Sequence, residues 1–153
     1  MAGATPILLD CYRGWERAGL RSSAALLAAW PWEGLKAAMV RACACTEEGR
    51  AAVKIMMDRL DRREFLQGWR GVAQCLHPEP SFQFDAPLLV GCGEKDRTGT
   101  IARHMADWRS GYPDAEVCTL PGAAHVANLD APEAFNALLG RFLARCAGKG
   151  DGS

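Results

Sequence analysis

The chain has 153 residues, enough for one domain with a single sizeable core and roughly two thirds of its unfolded surface buried on folding. Eighteen Lys and Arg balance eighteen Asp and Glu, and the basic residues are spread over the helical regions, which argues against nucleic acid as a partner. No basic leader with a long apolar run follows Met1, the Ala/Leu-rich stretch 24–30 is too short for a membrane span, and the seven cysteines are odd in number and irregular in spacing, so a cytoplasmic, reducing setting without membrane contact is expected.

Residues 1–11 hold one short apolar run, Pro6-Ile7-Leu8-Leu9-Asp10, which reads as a buried strand or the remnant of one. From 12 to 80 the pattern is helical. Pro31 opens a helix in which Leu35, Ala38, Met39, Ala42 and Cys43 recur at spacings of three and four. A second helix starts at Thr46 and is expected to bury Ala52, Ile55, Met56 and Leu60. Asp61 and Glu64 form a capping box for a third, ahead of Phe65, Leu66, Trp69, Val72, Ala73 and Leu76, and Pro78 and Pro80 end it.

Over residues 81–147 strand and helix alternate. The run 86–92 is continuously apolar, as a strand buried on both faces should be. Thr98 or Thr100 caps a helix with the stripe Ile101, Met105 and Trp108, which puts His104 on its solvated side, and Gly111 and Pro113 stop it. Residues 115–120 form the next strand, followed by a Pro121-Gly122 turn. The last helix takes Asp130 and Glu133 as a capping box and Phe135, Leu138, Leu139, Phe142, Leu143 and Cys146 as its core face, leaving 148–153 as a polar tail. Strand, helix, strand, helix predicts a parallel crossover, hence an α/β fold with a small parallel sheet of two or three strands and flanking helices.

Asp96 follows the first of these strands, and His125 follows the second, 29 positions later. A carboxylate that orients an imidazole and stabilises its cation, both on loops at the carboxyl ends of adjacent parallel strands, is the acid–base part of a catalytic triad. The residue types fit a plainer arrangement equally well, with Asp96 capping the next helix and His125 an ordinary loop histidine. None of the five serines, Ser22, Ser23, Ser81, Ser110 and Ser153, has glycines two residues before and after, so no Gly-x-Ser-x-Gly nucleophile turn is present. Cys92 lies between Val90 and Glu94, and Asp10 between Leu8 and Tyr12, where such a turn needs small residues. Cys43, Cys45, Cys75 and His77 lack the spacing of a structural zinc site, and Val90-Gly91-Cys92-Gly93 lacks the third glycine of a dinucleotide fingerprint, so neither metal nor cofactor is expected. Trp30, Trp32, Trp69 and Trp108 read either as core or as the lining of an acyl pocket.

Several motifs in order carry a resemblance: Gly93-Glu94-Lys95-Asp96, then Pro121-Gly122-Ala123-Ala124-His125, then Asn128-Leu129-Asp130-Ala131-Pro132-Glu133-Ala134-Phe135-Asn136. Over residues 86–143 the chain resembles the C-terminal segment of the α/β-hydrolase family. The resemblance implies Asp96 as triad acid, His125 as base, and residues 12–80 as the helical cap that many such hydrolases insert before this segment. It also implies that the nucleophile and the oxyanion hole belong to preceding sequence, and that the complete form hydrolyses an ester, lactone or similar small acyl substrate. The chain alone is then expected to be inactive, with a missing N-terminal half or a second copy as partner, through residues 6–10 or 86–92. A noncatalytic binding or interaction module derived from the same fold is the alternative, and an enzyme with an unrecognised nucleophile in this chain is a third reading.

Overall fold

A computed structural model describes residues 12–74 and 84–148. The expected strand at 6–10 and the Cys75–His77 pair lie outside the described residues. Four helices come first: α1 (Gly14–Ala29), α2 (Trp32–Cys43), α3 (Glu47–Asp58) and α4 (Arg62–Gln74). The α/β part follows as β1 (Leu89–Gly93), α5 (Ile101–Gly111), β2 (Glu116–Leu120), the single turn α6 (Ala127–Asp130) and α7 (Pro132–Gly148).

Local signals set the helix starts. Glu16 Oε2 accepts the Arg13 N–H at 2.7 Å ahead of α1, and Thr46 Oγ1 accepts the Gly49 N–H at 3.0 Å at the start of α3. The Asp61/Glu64 capping box forms in both directions, at 2.7 and 2.9 Å. Helix α2 packs on α3 and α1 on α4, where the Trp69 indole N–H donates to Ser23 Oγ at 2.7 Å. The face that α3 buries differs from the expected one. Gly49, Val53 and Met57 are buried, whereas Ile55 and Met56 are more than half exposed and Leu60 is 40% exposed. Apolar residues occupy several sides of this helix, so periodicity cannot choose among them; the row led by a glycine is the one that approaches its neighbours closely enough to bury. Val53 and Met57 join Ala44 in a small core with Trp32, Met39, Phe65, Val126 and Leu129.

The two strands pair in parallel, Leu89 opposite Glu116 and Gly93 opposite Leu120. This is the small parallel sheet expected of the α/β alternation, with β1 starting later than its apolar run. Helix α5 covers one face, where Val90 and Cys92 meet Ile101, Met105 and Trp108. Leu120, Ala123 and Ala127 pack with Phe135 and Leu138 of α7, a helix that buries none of its residues completely and leaves Leu143 more than half exposed. The tryptophans do not share a pocket: Trp108 is sheet core, Trp32 and Trp69 flank Phe65 among the first four helices, and Trp30 is about half exposed.

His104 is not on a solvated face. It is fully buried, 4.7 Å from the Tyr12 ring, with Nδ1 2.6 Å from Asp107 Oδ2 and Nε2 3.2 Å from the Arg103 guanidinium. Arg103 reaches on to Glu16 of α1 at 2.8 Å. A guanidinium only donates, so Nε2 accepts and Nδ1–H donates to Asp107, and with both nitrogens satisfied a polar ring is tolerated in the core. Among the described residues no helix is long and apolar enough to cross a membrane.

Candidate functional site

The loops after β1 and β2 are tied to each other by backbone bonds. Glu94 N–H donates to Leu120 O at 2.9 Å, Lys95 N–H to Ala123 O at 2.8 Å, and the Gly122 N–H returns to Glu94 Oε2 at 2.9 Å. Gly122 takes φ +73, the left-handed turn that glycine enters without steric cost. Gly93 is required for a different reason: a Cβ there would lie 2.1 Å from Ala124 O and 2.3 Å from Ala123 O. The two loops therefore touch backbone to backbone. The same carbonyls face Gly93 as acceptors, so Gly91-Cys92-Gly93 is a close-packed strand end with no cradle for a phosphate.

This contact brings Asp96 and His125 together. The Asp96 side chain is fully buried, its Oδ2 lies 3.1 Å from His125 Nδ1, and its Oδ1 accepts the Thr98 N–H at 2.8 Å. Asp96 does not cap α5, which starts at Ile101 with Thr100 before it and no side-chain cap bond. Burial alone would raise the Asp96 carboxyl, but the His125 contact and the Thr98 N–H outweigh it, and the group sits below the usual carboxylate value. An ionised carboxylate only accepts, so Nδ1 carries a proton, and in the neutral ring the lone pair is then on Nε2. Nε2 has no partner among the described residues, and the imidazole side chain is 27% exposed. A positioned base with an open face is what this pair can supply chemically.

Asp130 departs from expectation. Its carboxylate does not cap α7; it accepts from Cys45 N–H at 3.1 Å, Thr46 N–H at 2.9 Å, Thr46 Oγ–H at 2.7 Å and Ala124 N–H at 2.9 Å. The legible signal was Pro132. Proline favours the first helical position, which makes Ala131 the cap and leaves Asp130 one residue too early. Burial would raise the Asp130 carboxyl, yet the Thr46 and Ala124 N–H bonds with the Thr46 hydroxyl hold it down at about 2.

An acid-stability result follows from these two carboxylates. Both bind protons less readily when folded, so each contributes stability that is present above the ordinary carboxylate value and is lost as pH falls below it, for Asp130 down through about 2. For Asp130 this amounts to roughly 1–2 kcal/mol after allowance for partial solvent access. Urea midpoints of the wild type and Asp130→Asn are expected to differ at pH 5 and to converge near pH 2. A constant gap across that range would assign the stability to something other than the ionised carboxylate.

None of the described serines is free to serve the pair as a nucleophile. Ser22 and Ser23 are bonded to carbonyls of α1, and Ser110 donates to Ala106 O. Burial raises the Cys43 and Cys92 thiols, and the nearby Asp96 charge pushes each in the same direction, so neither is an activated thiolate. No group of three or more His, Cys, Asp or Glu suited to a metal occurs among the described residues. A cleft of about 250 Å³ between α2 and α3 is lined by Lys36, Val40, Arg41 and Met57, among others, and neither Asp96 nor His125 borders it. Comparison of the chain with models of known families, with characterised proteins and with solved structures finds no match.

Proposed function

We propose that this chain carries the acid and base of an α/β-hydrolase-type site acting on a small acyl substrate, an ester or lactone, with the nucleophile and the oxyanion hole supplied by polypeptide outside these 153 residues. His125 Nε2 takes the proton of that nucleophile and returns it to the leaving group, while Asp96 holds the ring in the Nδ1–H tautomer and stabilises the imidazolium. The observation that supports the reading is the contact of a buried, ionised Asp96 with a half-buried His125 whose Nε2 is open, on loops after neighbouring parallel strands. The motif order from Gly93 to Asn136 supports it independently. The partner is then a hydrolase N-terminal half, or a second copy that covers the same surface.

The isolated chain is expected to hydrolyse activated short-chain esters no faster than buffer. Co-expression with in-frame sequence from upstream of the Met1 codon is expected to create activity only if that sequence encodes a Gly-x-Ser-x-Gly turn, and His125→Ala should abolish it. Turnover by the purified chain alone, lost in His125→Ala, would overturn the incomplete-site reading in favour of an internal nucleophile. The noncatalytic-module reading draws on one observation, the helix-bonded state of the described serines, and it gains if the upstream sequence holds no such turn and the chain sediments as a compact monomer.

A further inference from the structure

We infer that Asp130 is a positioning residue for His125, one that makes the pose of the imidazole depend on how the α2–α3 turn docks. The inference rests on the reading of Asp96 and His125 as an acid–base pair. His125 is bracketed in the chain by Ala124, whose N–H is held by Asp130 Oδ2 at 2.9 Å, and by Val126, whose N–H is held by Cys43 O at 2.9 Å. The other donors on Asp130 all belong to the α2–α3 turn: Cys45 N–H, which reaches both oxygens at 3.1 Å, Cys45 Sγ at 3.4 Å, and the N–H and hydroxyl of Thr46. On its far side the same loop is fixed to the Asp96 loop through Ala123 O and Lys95 N–H. The segment carrying the base is therefore held between two bodies, the acid loop and the helical turn, and Asp130 is the side-chain joint to the second.

The packing around the joint leaves it little slack. A Cβ at Gly49 would lie 2.5 Å from Asp130 Oδ1 and 2.8 Å from Thr46 Oγ1, so the first turn of α3 is seated directly against the carboxylate. No ion pair balances Asp130 among the described residues; its charge is met by N–H dipoles at the start of α3 and by the Ala124 N–H. Moving the turn removes these donors together. The 3.1 Å contact of His125 Nδ1 with Asp96 has no margin for such a shift, because a further half-ångström takes it out of hydrogen-bonding range. A role confined to stability would leave the ring's tautomer as it is.

The test is long-range ¹H–¹⁵N NMR of the full chain, which reads the His125 tautomer directly, in the wild type and in Asp96→Asn, Asp130→Asn and Gly49→Ala. The wild type is expected to show the Nδ1–H form in excess. Asp96→Asn reverses the polarity of the partner and should move the ring towards Nε2–H, as should Asp130→Asn, by about two-fold or more in tautomer ratio. Gly49→Ala keeps both carboxylates while pressing on Asp130 Oδ1, and decides the matter if Asp130→Asn does not fold. A wild-type ratio in folded Asp130→Asn, or in Gly49→Ala where only that variant folds, with a changed ratio in Asp96→Asn, overturns the positioning role and leaves the acid–base pair standing. An unchanged ratio in Asp96→Asn removes the pair itself, and the inference with it.

Discussion

Gly93→Ala is expected to cost on the order of 3 kcal/mol or more and to separate Asp96 from His125 even where the chain still folds. The added methyl would sit 2.1 Å from Ala124 O and 2.3 Å from Ala123 O, and these are backbone atoms that no rotamer change can clear. Relief requires the His125 loop to move off the end of β1, which breaks the Lys95-to-Ala123 bond. Gly91→Ala is the internal comparison. Its Cβ would meet Leu120 Cδ1 at 3.3 Å and Cys118 Sγ at 3.4 Å, side-chain atoms that can yield, so a loss of about 1 kcal/mol is expected. Chemical denaturation with the His125 tautomer as a second readout checks both. Equal losses at the two positions would show that the strand end is softer than its backbone contacts indicate.

Trp108→Ala should be the most damaging truncation in the α/β part. Trp108 is 3% exposed, sits in one cluster with Val90, Cys92, Ile101 and Met105, and lies 5.3 Å from the Tyr112 ring. Removing a buried aromatic of this size costs about 3–5 kcal/mol, because the cavity closes only in part. The melting temperature should fall by about 10 °C or more in a chain of this length. The loss falls on the helix that supports β1, so differential scanning calorimetry of the intact chain reads it directly; a change of one or two degrees would mean that α5 contributes little to holding the sheet.

The parallel strand pair, the strand–helix–strand–helix alternation after residue 84 and the Asp96–His125 contact were legible because each rests on local information, a continuous apolar run or a residue at a strand's carboxyl end, whereas the helix α1 and the single turn α6 carried no such signal. Asp61 with Glu64 and Thr46 capped the helices they preceded for the same reason. What was not legible depends on partners distant in sequence. The buried face of α3 is chosen by its neighbours from a helix with apolar residues on several sides, and so the choice of Ile55 and Met56 missed. His104 looked solvated because a histidine on a helix is usually so, and its burial requires Asp107, Arg103 and the Tyr12 ring together. Asp130 is the plainest case, since all its donors but Ala124 N–H lie 84 or 85 positions away, and no local pattern announces a bond across that separation.

Among the described residues, the polar contacts that join the helical region to the rest include two of unlike chemistry. The α2–α3 pair is fastened by main-chain bonds and a carboxylate that accepts several donors, while α1 reaches α5 through the Glu16–Arg103 ion pair, whose arginine side chain is 37% exposed. A carboxylate enclosed by amides is insensitive to salt, whereas a partly solvated ion pair weakens as counterions screen it. Raising the ionic strength is therefore expected to loosen the α1–α5 attachment before it reaches the α2–α3 turn that holds the base in register with its acid.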